Sequence, residues 1–142
     1  MRNDENPVPV PVRFARLVEH GLRADLRRLC EDLMDEESRL TALEEIRRHC
    51  MNDFEERSES GVTTSQAALY YTFFHDLSQE IDLQGQLLAG ARRRVRDKQA
   101  AVSAAAKDRI LVEQSHRPSR RRRSDREWTS RNRVAFPKTK AS

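Results

Sequence analysis

Apolar residues recur along this chain at alternating steps of four and three, and they do so in two separate runs. The first run picks out Ala15, Glu19, Leu22, Leu26, Leu29, Leu33, Glu36, Leu40, Leu43, Arg47, Cys50 and Phe54, nine of the twelve being apolar. The second picks out Ala67, Tyr70, Phe74, Leu77, Ile81, Gln84, Leu88, Ala91, Val95, Lys98, Val102, Ala105, Arg109 and Val112, eleven of fourteen being apolar. A 3.5-residue repeat sustained over many turns, with charge elsewhere, specifies helices that supercoil around one another. Between the runs lies "SESGVTTS", residues 58–65, the one loop-like cluster between Pro11 and Pro118. Gly61 suits a left-handed residue that closes the first helix. Thr64 or Ser65 suits the cap of the second, accepting backbone N–H bonds. A turn this short folds the helices back on each other.

The expected fold is all-α: a long antiparallel two-helix coiled-coil hairpin with a basic C-terminal tail. Residues 1–12 read as a disordered proline-rich N-terminus and residues 13–116 as the hairpin. Within it we expect a helix over 13–58, a turn over 59–64 and a helix over 65–116. Residues 117–142 are the tail, where Pro118 interrupts the preceding helix and leaves room for a short separate one. Each long helix should rise roughly 70 Å. Polar residues at seam positions (Glu36 and Arg47 on the first helix; Gln84, Lys98 and Arg109 on the second) cost stability but fix register, and antiparallel pairing is expected to bring Arg47 near Gln84.

Composition agrees with an extended helical protein. Hydrophobic residues make up 37% of the chain and charged residues 35%, too little apolar material for a globular core. No run of 18 apolar residues is present, which removes a membrane-spanning helix. The N-terminal "MRNDENPVPVPV" has no apolar stretch of secretory length, so a cytoplasmic protein is expected. Cys30 and Cys50 fall on one helix with ~30 Å of rise between them, too far for a disulfide within one chain. Reduced, packed thiols are expected.

Charge changes the picture more. Residues 1–116 hold 17 basic and 21 acidic residues, whereas residues 117–142 hold 10 basic and 2 acidic. The overall pI of 9.5 therefore describes the tail. Arg120, Arg121, Arg122 and Arg123, with Trp128 nearby, suit the gripping of phosphates and stacking of a base. They equally suit an acidic protein surface or plain solvation, and the residues leave all three open.

Catalytic chemistry finds no support. "GQLLAGAR", residues 85–92, has two glycines at phosphate-loop spacing but lacks the Lys-Ser/Thr pair and lies mid-helix. His49 and Asp53 share a helix face, yet two ligands make no zinc site. His20, His75 and His116 have no cysteine or histidine one turn on. We expect no enzyme activity, no catalytic residue, no metal and no cofactor. The one unusual concentration is "YYTFFHDLSQEI", residues 70–81, with four aromatics in five positions. Tyr70, Phe74, Leu77 and Ile81 belong to the seam. Tyr71 and Phe73 lie on its flanks, where a two-helix hairpin offers little cover, and Cys50, Met51 and Phe54 face them from the first helix. Exposed aromatics of this kind mark an interface or stabilise the turn against fraying.

In order and spacing these segments resemble the FliJ family, small coiled-coil components of flagellar type III protein export. "VRFARLVEHGLRADLRRL", residues 12–29, resembles the family's opening on a charged amphipathic helix. "YYTFFHDLSQEIDLQGQLLAGARRRVRDKQAAVSAAAKDR", residues 70–109, resembles its second helix, and "SDREWTSRNR", residues 124–133, resembles its C-terminal helix more faintly. The chain departs from the family in Pro118, in the weight of its arginine block, and in Gly85 and Gly90. The resemblance implies likeness to the coiled coil of the rotary ATPase γ subunit and a non-enzymatic role in flagellum biogenesis. It also implies a cytoplasmic protein peripheral to the inner membrane. The end bearing both termini would bind the export ATPase ring through Phe14, Leu17, Arg109 and Arg120–Arg123. The turn would bind the cytoplasmic domain of the export gate through Cys50, Phe54, Tyr70, Tyr71, Phe73, Phe74 and Leu77. Export chaperones are further implied partners. The rival reading is a nucleic-acid-binding coiled coil that uses the arginine-rich tail.

Overall fold

The computed structural model describes residues 7–117, which form two helices. Helix α1 spans Val10–Ser60 and α2 spans Thr64–Ser115, and they pack against each other as an all-α hairpin. None of the twenty-six seam positions expected from the 3.5-residue repeat is exposed. Leu77, Ile81, Leu88, Ala91, Val95 and Val102 of α2 are buried, and α1 covers them with half-buried Leu22, Leu26, Leu29, Leu33, Leu40 and Leu43. Fully burying an aliphatic side chain of this size stabilises by about 1.5–3 kcal/mol. Two helices can enclose only one stripe each, so everything off the seam meets water.

Packing divides the described residues into two compact units, residues 7–21 with 103–117, and Leu22–Val102. In the first, Val12 is buried one step before Ala15, continuing the repeat toward the N-terminus. Helix α1 thus takes in Val10, Pro11 and Val12, which the sequence had put in the disordered N-terminus. Proline in the first turn removes an N–H that has no helical partner anyway, so it permits the helix. At the other end, the backbone N–H of His116 reaches both Val112 and Glu113, and the helix closes just before Pro118. The residue before a proline is disfavoured in the α region.

The second unit contains the turn. Gly61 has φ +100°, the left-handed conformation expected of it, and its N–H reaches the Ser58 carbonyl at 3.4 Å. The cap of α2 lies one residue earlier than expected, at Thr63. Its Oγ1 accepts from the Gln66 N–H at 3.2 Å, while the Thr63 N–H donates to Gln66 Oε1 at 3.1 Å. This reciprocal pair satisfies two N–H groups where a lone Thr64 or Ser65 hydroxyl would satisfy one.

Register differs from expectation at one polar pair. Gln84 Nε2 donates to the Glu36 carbonyl at 3.1 Å and to its carboxylate, and does not meet Arg47. Residues equidistant from the turn face each other. Glu36 lies 25 residues before Gly61 and Gln84 lies 23 after it, whereas Arg47 is only 14 before. The other polar seam residue of this unit, Lys98, pairs with Asp25 at 3.9 Å.

Candidate functional site

Around the turn, Phe54 of α1 is the hub of an aromatic cluster. Its ring meets Tyr70 edge-on at 5.0 Å, Tyr71 at 5.9 Å and Phe74 at 6.2 Å, and Tyr70 lies 6.4 Å from Phe74. Tyr70 donates its hydroxyl proton to Asp53 Oδ2 at 2.6 Å. That bond to a carboxylate raises the phenol pKa above its ordinary value. Asp53 also faces Arg57 at 3.5 Å, so the phenol, carboxylate and guanidinium tie the last turns of α1 to the first turns of α2. The cluster consists of seam residues at its base and exposed rings at its rim, since Tyr71 and Phe73 remain in water.

Beside the cluster runs an open, apolar groove of about 520 Å³, lined by Cys50, Arg57, Gln66, Leu69, Tyr70 and Phe73. Cys50 is half-buried in it, and burial, with Asp53 nearby, pushes its thiol pKa up. The structure therefore brings together six of the seven turn residues singled out from the sequence. Leu77 is the exception, being buried in the seam. Leu69 was missed, although it precedes Phe73 by one helical turn and is the most exposed large apolar residue of α2.

The unit holding the start of α1 and the end of α2 has a different character. Buried Glu19 takes a hydrogen bond from Arg109 Nε, and Arg109 Nη1 reaches Glu113 at 3.2 Å. Arg16 Nε donates to the other Glu113 oxygen at 3.0 Å. The hydrogen bond from Arg16, reinforced by Arg109, lowers the Glu113 pKa below its ordinary value. The hydrogen bond to Glu19 raises that of Arg109. Arg109 is thus engaged at the seam, bridging two carboxylates, and is not a free cation. Phe14 and Leu17 are exposed, with Val10 on the same face of α1, and Ile110 and Leu111 are exposed on α2. Arg120–Arg123 lie outside the described residues.

Among the described residues, no helix is long and apolar enough to cross a membrane. Comparison with curated proteins finds no match, and neither does comparison with solved structures. Residues 12–123 match the family model described as Flagellar FliJ protein, a span that includes both helices almost entire, the turn cluster and the arginine block. The chain belongs to the FliJ family, and is a component of flagellar type III protein export.

Proposed function

We propose that the chain is a non-enzymatic cytoplasmic coupling element of the export apparatus, held at the cytoplasmic face of the inner membrane by its partners. The turn cluster engages the cytoplasmic domain of the export gate, with Tyr71 and Phe73 as the accessible anchors on a base of Phe54, Tyr70 and Phe74. The unit bearing the ends of the two helices engages the export ATPase through Phe14 and Leu17, assisted by Arg120–Arg123. Export chaperones are further partners of the same molecule. The observation that supports this best is the presence of exposed aromatics at the turn in a chain whose family acts in export. Large exposed apolar side chains are depleted at free surfaces and enriched at interface centres.

Binding of the purified chain to each purified partner tests it. Tyr71→Ser with Phe73→Ser should weaken the gate domain alone, and Phe14→Ser with Leu17→Ser the ATPase alone. Changing Arg120, Arg121, Arg122 and Arg123 together to Gln should slow association with the ATPase, less so at high salt as screening shortens the field. A pair of substitutions that weakens both partners equally, or neither, rejects the division of roles. Loss of RNA binding in the arginine variant, with ATPase binding intact, moves the tail to nucleic acid.

A further inference from the structure

Two flanks border the seam on α2, and they differ in chemistry. One carries Tyr71, His75, Ser78, Asp82, Gly85 and Ala89, with a single large apolar residue. The other carries Leu69, Phe73, Asp76, Glu80, Leu83 and Leu87, which fall within an arc of about 80° at 100° per residue. On it Leu69 is 71% exposed, Phe73 46%, Leu83 60% and Leu87 55%. Among the described residues no third element covers this flank, and the seam already occupies the side of α2 that faces α1.

Order along the flank is informative. An apolar pair, Leu69 and Phe73, walls the groove beside Cys50. A second pair, Leu83 and Leu87, lies further along the helix, and exposed Asp76 and Glu80 stand between the two. Ser58–Ala91 contains no lysine or arginine, and residues 31–91 hold 14 acidic against 4 basic residues. Most of that acidity stands on α1, and on α2 the flank itself carries Asp76 and Glu80 with no cation between Leu69 and Leu87.

We infer that this flank docks a cationic amphipathic helix of a partner protein, of about 18 residues to match the five turns from Leu69 to Leu87, with apolar side chains at both ends and Lys or Arg between them. Apolar contact at Leu69, Phe73, Leu83 and Leu87 supplies the grip. Asp76 and Glu80 set register and exclude acidic helices. The inference shares Phe73 with the gate-binding reading and rests on it for the partner's place in the export apparatus; the charge and helical form of the ligand come from the flank.

The test uses the full chain, a labelled 18-residue amphipathic peptide of Leu, Ala and Lys, and its counterpart with Glu for Lys, read by fluorescence anisotropy. The Lys peptide should bind at least about tenfold tighter than the Glu peptide at low salt. Leu83→Gln with Leu87→Gln, and separately Asp76→Asn with Glu80→Gln, should each weaken it about tenfold, while Glu55→Gln with Glu56→Gln leaves it unchanged. Circular dichroism melts of all variants should match the wild type, since every substituted residue is exposed. Equal weakening by the Glu55/Glu56 control means bulk charge alone and overturns the inference. So does a wild-type dimer in sedimentation that Leu83→Gln with Leu87→Gln dissolves, which would make the occupant a second copy. The gate domain is titrated in parallel. If it binds all these variants alike, the inference fails and the proposed function stands. If the gate does not bind while the peptide pattern holds, the gate assignment fails and the docking flank stands.

Discussion

Phe73 and Phe74 are neighbours in sequence, and truncating each to alanine separates packing from recognition. Phe74 is a half-buried seam residue whose ring meets Phe54 at 6.2 Å and Tyr70 at 6.4 Å. A fully buried phenylalanine costs about 3–5 kcal/mol when cut to alanine, so partial burial puts Phe74 near about 2. Losing two ring contacts at about 0.5 kcal/mol each adds about 1. The expected total is about 3 kcal/mol. At about 4 °C per kcal/mol for a folded length near 110 residues, Phe74→Ala should lower the Tm by roughly 12 °C. Phe73 is exposed and its truncation should cost at most about 1 kcal/mol, within roughly 4 °C. Far-UV circular dichroism melts measure both, and calorimetric titration with the export-gate cytoplasmic domain, well below either Tm, measures binding. Phe73→Ala should weaken that binding at least about tenfold, as loss of an exposed aromatic anchor does. Equal destabilisation by the two variants, with normal gate binding by Phe73→Ala, would refute the reasoning and make the cluster a packing device only.

Thr63→Ala removes the hydroxyl half of the reciprocal cap and should cost about 1 kcal/mol, while Ser65→Ala, which caps nothing, should be near neutral; thermal melts distinguish them. Leu88→Asp places a carboxylate in the buried seam and should cost several kcal/mol, visible as loss of helical signal at ambient temperature. Glu113 supplies the pH dependence. Its folded pKa is lowered, so its contribution is present at neutral pH and is lost as the pH falls from the ordinary 4.5 through the folded value. The wild-type Tm should therefore drop more steeply below about pH 4.5 than that of Glu113→Gln, and parallel acid branches would sink the assignment.

The helices were legible because a 3.5-residue repeat has few other physical solutions in a chain this polar. Each seam residue from Ala15 to Phe54 and from Ala67 to Val112 is covered as the repeat requires. Gly61 was legible for a related reason: a single glycine between two long runs is where the backbone can turn left-handed. The pairing of Gln84 was legible as well, but only by counting: equal distances from Gly61 put it opposite Glu36, whereas Arg47 was matched on polarity alone, although it stands far closer to the turn. The cap at Thr63 was hidden because five hydroxyl residues crowd positions 58–65 and only the Gln66 side chain decides among them.

Leu69, Leu83 and Leu87 were missed on different physical grounds. A periodicity search keeps the best stripe on each helix, and that stripe is the core by construction. In a globular domain the apolar residues left over would meet a third element. A two-helix hairpin has none, so an apolar residue one position off the seam is exposed by geometry. Single exposed leucines need no explanation, but four large apolar residues on one flank of α2, against one on the other, break the symmetry that chance exposure would give. Stability does not ask for that asymmetry, since Leu69, Phe73, Leu83 and Leu87 all remain exposed beside the seam. The residues that hold this hairpin together and the residues proposed to recognise a partner are therefore separable by one step of the helical wheel. Phe73 lies on the exposed side of that step and Phe74 on the seam side.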